Sequence, residues 1–307
     1  MYNRPILIMA FNRADSVKKV LDSVGAIKPT DLFISVDGPR IGNSDDEAKI
    51  SAVQKVFESI DWPCNVRRNY RAQNMGSAPH IIDAINWFFS NVETGIILED
   101  DCVPDQTFYS FVDSLLTKYA DDSRIMAING SCLVGNDETG SSYRFSKYFL
   151  SWGWASWRRS WKLFENKVTD SANLIDSLAK DGDIHLSTKE ITFWKKFMAG
   201  FESGKYPFWD GRWLYTIWKN HGVCITPNKN LILNVGFTAD ATHTFSKDKR
   251  IPTTTDQIKE ILHPTSKTIN DPKDLQLFEK FYYRNIWQKI SFRIKLQLFK
   301  IIKKTSV

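Results

Sequence analysis

Residues 96–101 read Ile-Ile-Leu-Glu-Asp-Asp, so that an apolar run leads directly into three consecutive carboxylates. The apolar part predicts a strand that is buried on both faces, where an unpaired carboxylate would be very costly. The three acids therefore indicate a counter-charge, and a divalent cation that carries a phosphorylated ligand is the natural one. The alternative is that the strand ends in water and Asp101 caps the turn that follows it.

The rest of the first ~130 residues alternates between strand-like and helix-like runs, which predicts a parallel sheet with crossover helices. The helix-like runs place apolar residues at i, i+3, i+4 and i+7, as in Val17, Val20, Leu21 and Val24. We therefore predict an α/β fold with a Rossmann-like, mostly parallel sheet flanked by helices. Strands are expected near residues 6–11, 32–36, 65–70, 95–98 and 125–129, and Ser77 is expected to cap the helix that begins there.

Polar residues follow the predicted strands at the edge where ligands bind in open sheets of this kind. Carboxylates there suit a base or ribose, and arginines with a cation suit phosphates. No G-x-G-x-x-G or G-x-x-x-x-G-K-[ST] pattern is present, which excludes the common dinucleotide and P-loop motifs. The residues at these strand ends are Asn12, Arg13, Asp37, Arg71, Asn74, Glu99, Asp100 and Asp101.

Eight of the eleven tryptophans fall between Trp152 and Trp218. Exposed aromatic rings stack on the apolar faces of sugars, although about half of these tryptophans are expected to form a hydrophobic core instead. Asp210 lies between Trp209 and Trp213, where it is either paired with Arg212 or a base whose pKa the apolar walls raise. The polar loop at residues 234–244 contains His243, the strongest histidine candidate for the site.

The bulk composition predicts a cytoplasmic protein. No stretch approaches the ~18–20 apolar residues of a transmembrane helix, and the first apolar run is too short for a signal peptide. The four cysteines lie far apart and are expected to be reduced thiols rather than zinc ligands or disulfides. No nucleic-acid-binding motif accompanies the net charge of +6.

The C-terminal segment carries basic residues interleaved with apolar ones, and no acid appears after Glu279. This pattern predicts a basic amphipathic helical tail that holds the protein on the inner face of an anionic membrane through residues 280–304. The alternative is a helix that packs on the domain and leaves its lysines in water.

With these residues in view, the chain resembles the GT-A-fold glycosyltransferases, and especially bacterial relatives of the inverting N-acetylglucosaminyltransferases of N-glycan synthesis. Residues 99–101 are similar to that family's E-D-D variant of the D-x-D motif. Trp209 to Trp213 resembles its tryptophan-framed base, although the segment here is one residue longer. The resemblance implies metal ligation by Asp101 and His243 and Asp210 as the catalytic base. It also implies nucleotide-sugar binding by a set of strand-end residues, namely Arg13, Asp37, Arg71, Asn74, Glu99 and Asp100.

The function implied by this resemblance is inverting transfer of a sugar, with Mn²⁺ or Mg²⁺, from a UDP-sugar to a hydroxyl of a cell-surface glycan or lipid-linked acceptor. Residues 1–130 would bind the nucleotide-sugar, residues 131–265 the acceptor, and residues 266–307 form the tail. Two alternatives remain: a sugar-nucleotide nucleotidyltransferase, although no glycine lies between Met9 and Asp15, and a non-catalytic, membrane-attached carbohydrate-binding protein.

Overall fold

The computed structural model of the protein describes residues 1–135, 140–180, 184–236 and 250–283. Its strands are β1 (Ile6–Ala10), β2 (Asp31–Val36), β3 (Asn65–Tyr70), β4 (Thr94–Glu99), β5 (Cys102–Pro104), β6 (Ile125–Asn129), β7 (Tyr143–Ser146), β8 (Trp154–Trp157), β9 (Val223–Pro227) and β10 (Ile232–Asn234). Its helices are α1 (Ala14–Ile27), α2 (Ser44–Glu58), α3 (Ser77–Asn91), α4 (Gln106–Lys118), α5 (Arg158–Trp161), α6 (Ser171–Lys180), α7 (Thr188–Glu202), α8 (Trp209–Lys219) and α9 (Asp271–Leu277), followed by a π-helical turn (Phe278–Tyr282).

Eight strands form one sheet in the order β3-β2-β1-β4-β8-β6-β9-β7. β3, β2, β1 and β4 are parallel neighbours, and β6 and β9 are also parallel. β8 is antiparallel to both β4 and β6, so β6 and β9 run in the same direction as the first four strands. The prediction of an α/β fold with a mostly parallel sheet is confirmed. The division of the chain at residues 130 and 265 stays a prediction.

The apolar patterns place the core where the sequence predicts it. All five residues of β1 are buried, as expected for a strand covered on both faces. In α1, the predicted face of Val17, Val20, Leu21 and Val24 is buried. α3 differs in detail, because Gly76 rather than Ser77 is its N-cap and adopts a φ of 82° that favours glycine.

The chain after the three acids is also different from the capped turn considered above. Residues 102–104 form β5, which pairs antiparallel with β10. The backbone N–H of Val235 then donates to the carbonyl oxygen of Asp101 at 2.8 Å. This pairing brings a distant part of the chain back to the carboxyl end of β4.

The tryptophans of the second half mainly build a core. Seven of the eight are no more than 5% exposed, and Trp152 is partly buried. Trp154 packs against Trp209 with ring centroids 5.9 Å apart, and Trp161 lies 4.9 Å from Trp213. The prediction that about half of these tryptophans bind sugar is therefore wrong for this set, because buried rings cannot stack on a ligand.

The start of the predicted tail packs on the domain. The Tyr282 ring centroid lies 5.0 Å from that of Trp194, and the Lys280 Nζ donates to the carbonyl oxygen of Leu133 at 2.7 Å. Residues 284–307, which include most of the tail, lie outside the described residues. Among the helices that the structure describes, none combines the length and the apolar character needed to cross a bilayer.

Candidate active site

A cavity of about 320 Å³ lies at the carboxyl ends of β1, β2 and β4. We call it the nucleotide cavity, because the sequence predicts nucleotide binding at this edge of the sheet. The sheet brings six of the predicted site residues together there, because parallel strands end at the same edge. These six residues are Arg13, Asp37, Asn74, Glu99, Asp100 and Asp101.

Arg13 bridges the two acids that follow β4. Its guanidinium donates to Asp100 and, at 3.0 Å, to the Oδ2 of Asp101. Burial alone would lower the pKa of Arg13, but the two carboxylates raise it overall, so this side chain stays charged. Burial raises the pKa of Asp100 to about 6 against the opposing effect of Arg13. Arg13 therefore compensates the negative charge of this site only in part.

Of the three acids at the end of β4, Glu99 has the fewest hydrogen-bond partners. Within the described residues, no donor lies within hydrogen-bond distance of its carboxylate, which faces the cavity at the end of β4. Burial raises the pKa of Glu99 well above its ordinary value, and the charges of Asp101, Asp100 and Asp210 raise it further. A carboxylate in this position gains from any cation that enters the cavity.

Asp37 mainly holds a loop in place. Its Oδ1 accepts from the backbone N–H groups of Gly38 and Met75, each at 2.9 Å, and its Oδ2 accepts from Asn74 Nδ2 at 2.9 Å. These bonds fix the segment between β3 and α3 against the end of β2. Asp37 and Asn74 thus shape the cavity wall as a pair.

Arg71 does not line the nucleotide cavity. It forms an ion pair with Asp83 on α3, and its buried Nε has no hydrogen-bond partner in the described part of the chain. The guanidinium of Arg71 is thus paired with a carboxylate twelve positions later in the chain, and a role of Arg71 in ligand binding stays a prediction.

His80 lines the cavity and was not among the predicted site residues. Its Nε2 lies 2.9 Å from the hydroxyl of Ser35 on β2. Burial lowers the pKa of His80, which favours the neutral ring. The sequence offers a signal for it, since His80 lies in the first turn of the helix after β3 and so at the same sheet edge.

The polar loop after β10 begins directly over the acids. A Cβ added at Gly236 would lie 2.2 Å from the Oδ2 of Asp101 and 3.1 Å from the Nη1 of Arg13. Only glycine fits this approach without displacing the Asp101 carboxylate. His243, predicted as a metal ligand in this loop, lies outside the described residues.

Asp210 lies in the first turn of α8 and does not line the nucleotide cavity. Its Oδ1 accepts from the backbone N–H of Gly211 at 2.8 Å, and burial raises its pKa. Arg212 donates to Asn166 at 2.7 Å instead of pairing with Asp210, so that alternative is wrong. Asp210 remains close enough for its charge to raise the pKa of Glu99.

The donor set suits a hard divalent cation. Within the described ranges, no three His, Cys, Asp or Glu side chains are already arranged as a metal cluster. The carboxylates of Glu99, Asp100 and Asp101 are nevertheless oxygen ligands at one edge, with a single arginine among them. Mg²⁺ and Mn²⁺ prefer such ligands, commonly together with the phosphates of a substrate.

Comparison with known proteins gives a limited result. No family model and no curated protein matches the chain. Among solved structures, a 4-diphosphocytidyl-2C-methyl-D-erythritol synthase from Anaerococcus prevotii is 11% identical, over 65% of this chain and all of that one, with a TM-score of 0.34. HddC from Yersinia pseudotuberculosis, also solved with GMP-PN, gives 10% identity over 54% of this chain and 81% of its own, with a TM-score of 0.33.

A cytidylyltransferase from Leptospira borgpetersenii is 11% identical over 68% of this chain and 74% of its own, with a TM-score of 0.31. At these scores the likeness concerns the general α/β arrangement and carries no argument about activity.

The predicted relationship to N-acetylglucosaminyltransferases is wrong on these findings, since none of the solved structures named above is described as a member of that family. The prediction of inverting glycosyl transfer from a UDP-sugar is therefore wrong as well. The D-x-D interpretation of residues 99–101 and the membrane association gain no support. The physical reason is that acids at a strand end suit any metal-bound nucleotide, whichever group is transferred.

Proposed function

We propose that this protein binds a nucleoside triphosphate with a divalent cation in the nucleotide cavity and transfers the nucleotidyl group to a phosphorylated sugar. The observation that carries the proposal is the charge imbalance at the carboxyl ends of β1 and β4. Of the described residues that line the cavity, Arg13 is the only arginine or lysine, against Asp37 and the three acids of residues 99–101. A cation with a polyphosphate ligand would complete this arrangement.

The cation would be held by Asp101 and Asp100, and it would neutralise charge on the phosphates. Arg13 lies beside both acids and is placed to donate to a phosphate oxygen. The connection from β1 to α1 has no glycine-rich loop to cradle phosphates. Phosphate binding must therefore depend on Arg13 and the cation more than on backbone N–H groups.

The neutral polar side chains that line the nucleotide cavity suit the binding of a nucleoside. Asn74, Asn12 and His80 present amide and neutral imidazole groups in the same cavity. Asn12 is fixed by donating to Asp46 at 3.1 Å, and His80 is fixed by Ser35. Neutral groups held in this way can select a base or ribose by hydrogen bonding, because an unmatched ligand would leave them unpaired.

The chemistry needs little help from a general base. A phosphate oxygen of the sugar phosphate attacks the α-phosphorus, the bond to the β-phosphate oxygen breaks, and pyrophosphate leaves. With a second pKa of about 6, a phosphate monoester is already mostly a dianion at neutral pH. This explains how a site of this kind works although Asp210 does not line the cavity.

The non-catalytic carbohydrate-binding alternative is disfavoured by the structure. It requires an aromatic cleft, yet seven of the eight clustered tryptophans are buried in the core. Exposed rings are needed for stacking on sugars, and this set does not provide them.

The test combines binding and turnover in the full-length protein. Melting temperature is measured with Mg²⁺ or Mn²⁺ and each of ATP, CTP, GTP and UTP, followed by pyrophosphate release with a panel of sugar 1-phosphates. A ligand at 100 times its Kd stabilises by about 2.7 kcal/mol, which shifts the melting temperature by a few degrees. A metal-dependent shift with one nucleotide, and pyrophosphate release with one sugar phosphate, are expected. No shift with any nucleotide in a well-folded sample would contradict the proposal.

A further inference from the structure

A second cavity, of about 650 Å³, lies at the carboxyl ends of β6 and β9. Cys132 follows β6, Asn228 is the first residue after β9, and both line this cavity. Because β6 and β9 run in the same direction as β1 and β4, the cavity opens at the same edge of the sheet. It shares no lining residue with the nucleotide cavity. We call it the basic pocket.

The charged residues that line the basic pocket are mainly cationic. Among the described residues of the lining they are Lys229, Arg250 and Lys280, with Asp256 as the one acid. The ammonium groups of Lys229 and Lys280 donate to the carbonyl oxygens of Gln257 and Leu133, at 3.0 and 2.7 Å. These acceptors are neutral, so they position the lysines without cancelling their charge.

A buried arginine lies behind the pocket wall. Arg144 is only 3% exposed, and its Nη1 donates at 3.0 Å to the Oδ1 of Asn228, a residue of the wall. Its Nε and Nη2 have no hydrogen-bond partner in the described part of the chain. The buried Asp274 lies near enough for the charge of Arg144 to oppose the rise in its pKa, so the cation is compensated only at a distance. Burying a cation whose Nε and Nη2 lack acceptors is costly, and an anion in the adjacent pocket would offset that cost.

The walls of the basic pocket are already held in position. The Asn230 Oδ1 accepts from the backbone N–H of Cys132 at 3.1 Å, and its Nδ2 donates to the carbonyl oxygen of Thr254 at 3.0 Å. Arg250 is attached to the opposite side by donating to the carbonyl oxygen of Lys280 at 2.6 Å. A ligand would therefore enter a preformed site and lose little free energy to rearrangement.

We propose that the basic pocket is a phosphate-binding site that takes inorganic phosphate or a phosphate monoester without a divalent cation. The ammonium groups of Lys229 and Lys280, whose acceptors are neutral, suit a compact anion that accepts charge-assisted hydrogen bonds. The buried charge of Arg144 supplies a fixed positive potential behind it. This site is separate from the proposed nucleotide site and does not depend on it.

The test is calorimetric titration of the full-length protein with inorganic phosphate and with glucose 6-phosphate, in low salt and with EDTA. The double variant Lys229→Gln/Lys280→Gln removes two exposed charges, and we expect its affinity to fall about tenfold or more. The matched control is Lys167→Gln, which changes an exposed lysine outside the pocket and should leave the affinity unchanged. Tighter binding of glucose 6-phosphate would identify an ester as the ligand, and tighter binding of phosphate would identify the free ion.

Two further variants make the result specific. Asp101→Asn should bind phosphate as the unmodified protein does, because Asp101 belongs to the other cavity. In Arg144→Gln, the rise in melting temperature that phosphate produces should be lost. Equal affinity in the double variant and the unmodified protein, loss of phosphate binding in Asp101→Asn, or no saturable binding below roughly 10 mM would overturn the proposal. None of these outcomes depends on whether nucleotide binding is observed.

Discussion

Two groups of buried charges in this molecule are built in opposite ways. The first, which we call the Lys147 cluster, consists of Lys147, Glu190 and Asp274 in the second half of the chain. The Nζ of Lys147 lies 3.1 Å from Glu190 Oε1, and Asp274 accepts from the Ser146 hydroxyl at 2.6 Å and from the backbone N–H of Lys147 at 2.7 Å. Every charge in this cluster has a partner from the protein.

Glu190 shows how complete this pairing is. Its Oε2 accepts from the backbone N–H and hydroxyl of Ser187, at 2.8 and 2.7 Å, in a capping box at the start of α7. Burial would raise the pKa of Glu190, but hydrogen bonds from Tyr148 and Ser187 and the charge of Lys147 lower it overall.

The nucleotide cavity is lined by four acids, against two in the Lys147 cluster, but lacks this internal compensation. Arg13 serves both Asp100 and Asp101, and Glu99 has no donor among the described residues. The comparison teaches that a buried carboxylate with hydrogen-bond donors from the protein is part of the fold, whereas one without them marks a ligand site. Changing one residue in each group should therefore have opposite effects.

The largest effect is expected in the Lys147 cluster. Lys147→Ala leaves buried carboxylates without their cation, so the free energy of unfolding should fall by about 3–5 kcal/mol. Urea unfolding measures the change. Lys18→Ala is the control, because Lys18 pairs with Asp22 at an exposed position and should cost less than about 0.5 kcal/mol. Equal losses in the two variants would end the distinction between the groups.

The free energy of unfolding should depend on pH through the titration of the Asp274 carboxyl group. Burial raises its pKa to about 6, above the value of ~3.9 in an unfolded chain. Between about pH 4 and 6 the native state thus holds a proton that the unfolded state has lost, and stability falls as the pH rises, by about 3 kcal/mol in total.

Asp274→Asn should remove this contribution of about 3 kcal/mol while the similar contribution of Asp100 remains, as measured by urea unfolding from pH 4 to 7. Asp121→Asn, at an exposed position, should keep the pH profile of the unmodified protein. A profile in Asp274→Asn that is parallel to the unmodified one would show that Asp274 does not titrate in this range.

In the nucleotide cavity, Asp101→Asn should remove binding without unfolding the protein. The stabilisation of about 2.7 kcal/mol expected at 100 times the Kd of the metal–nucleotide complex should be absent. Melting temperature with and without ligand measures this loss. Asp105→Asn, which alters only the cap of α4, serves as a nearby control that should respond to ligand normally. A normal ligand response in Asp101→Asn would exclude Asp101 from cation binding.

The smallest effect is expected at Glu99 and has the opposite sign to that at Lys147. Without ligand, Glu99→Gln removes repulsion among neighbouring carboxylates and should stabilise the protein by about 1 kcal/mol at pH 7.5. Glu260→Gln, an exposed change of the same type, should have no measurable effect in the same urea unfolding experiment. A loss of stability in Glu99→Gln would mean that Glu99 has a partner and belongs with the paired charges.

Much of the scaffold follows from the sequence. The predicted strands at residues 65–70 and 125–129 have those bounds in the structure, and β1 ends one residue earlier than expected. The sequence also places Arg13, Asp37 and residues 99–101 at one edge, because parallel strands align their carboxyl ends. Local apolar periodicity is enough for these predictions, since each strand buries its own run.

The sequence alone determined that carboxylates follow a buried strand at the edge of an α/β sheet, because that information lies within a few adjacent residues. Only the tertiary structure decided which charges are compensated. Arg71 forms an ion pair with Asp83, and Arg13 donates to Asp100, which lies 87 positions later in the chain. Gly236 lies directly against the carboxylate of Asp101. The tertiary structure also placed the tryptophans in the core. Pairing and burial depend on contacts between distant segments, and a linear pattern does not contain those distances.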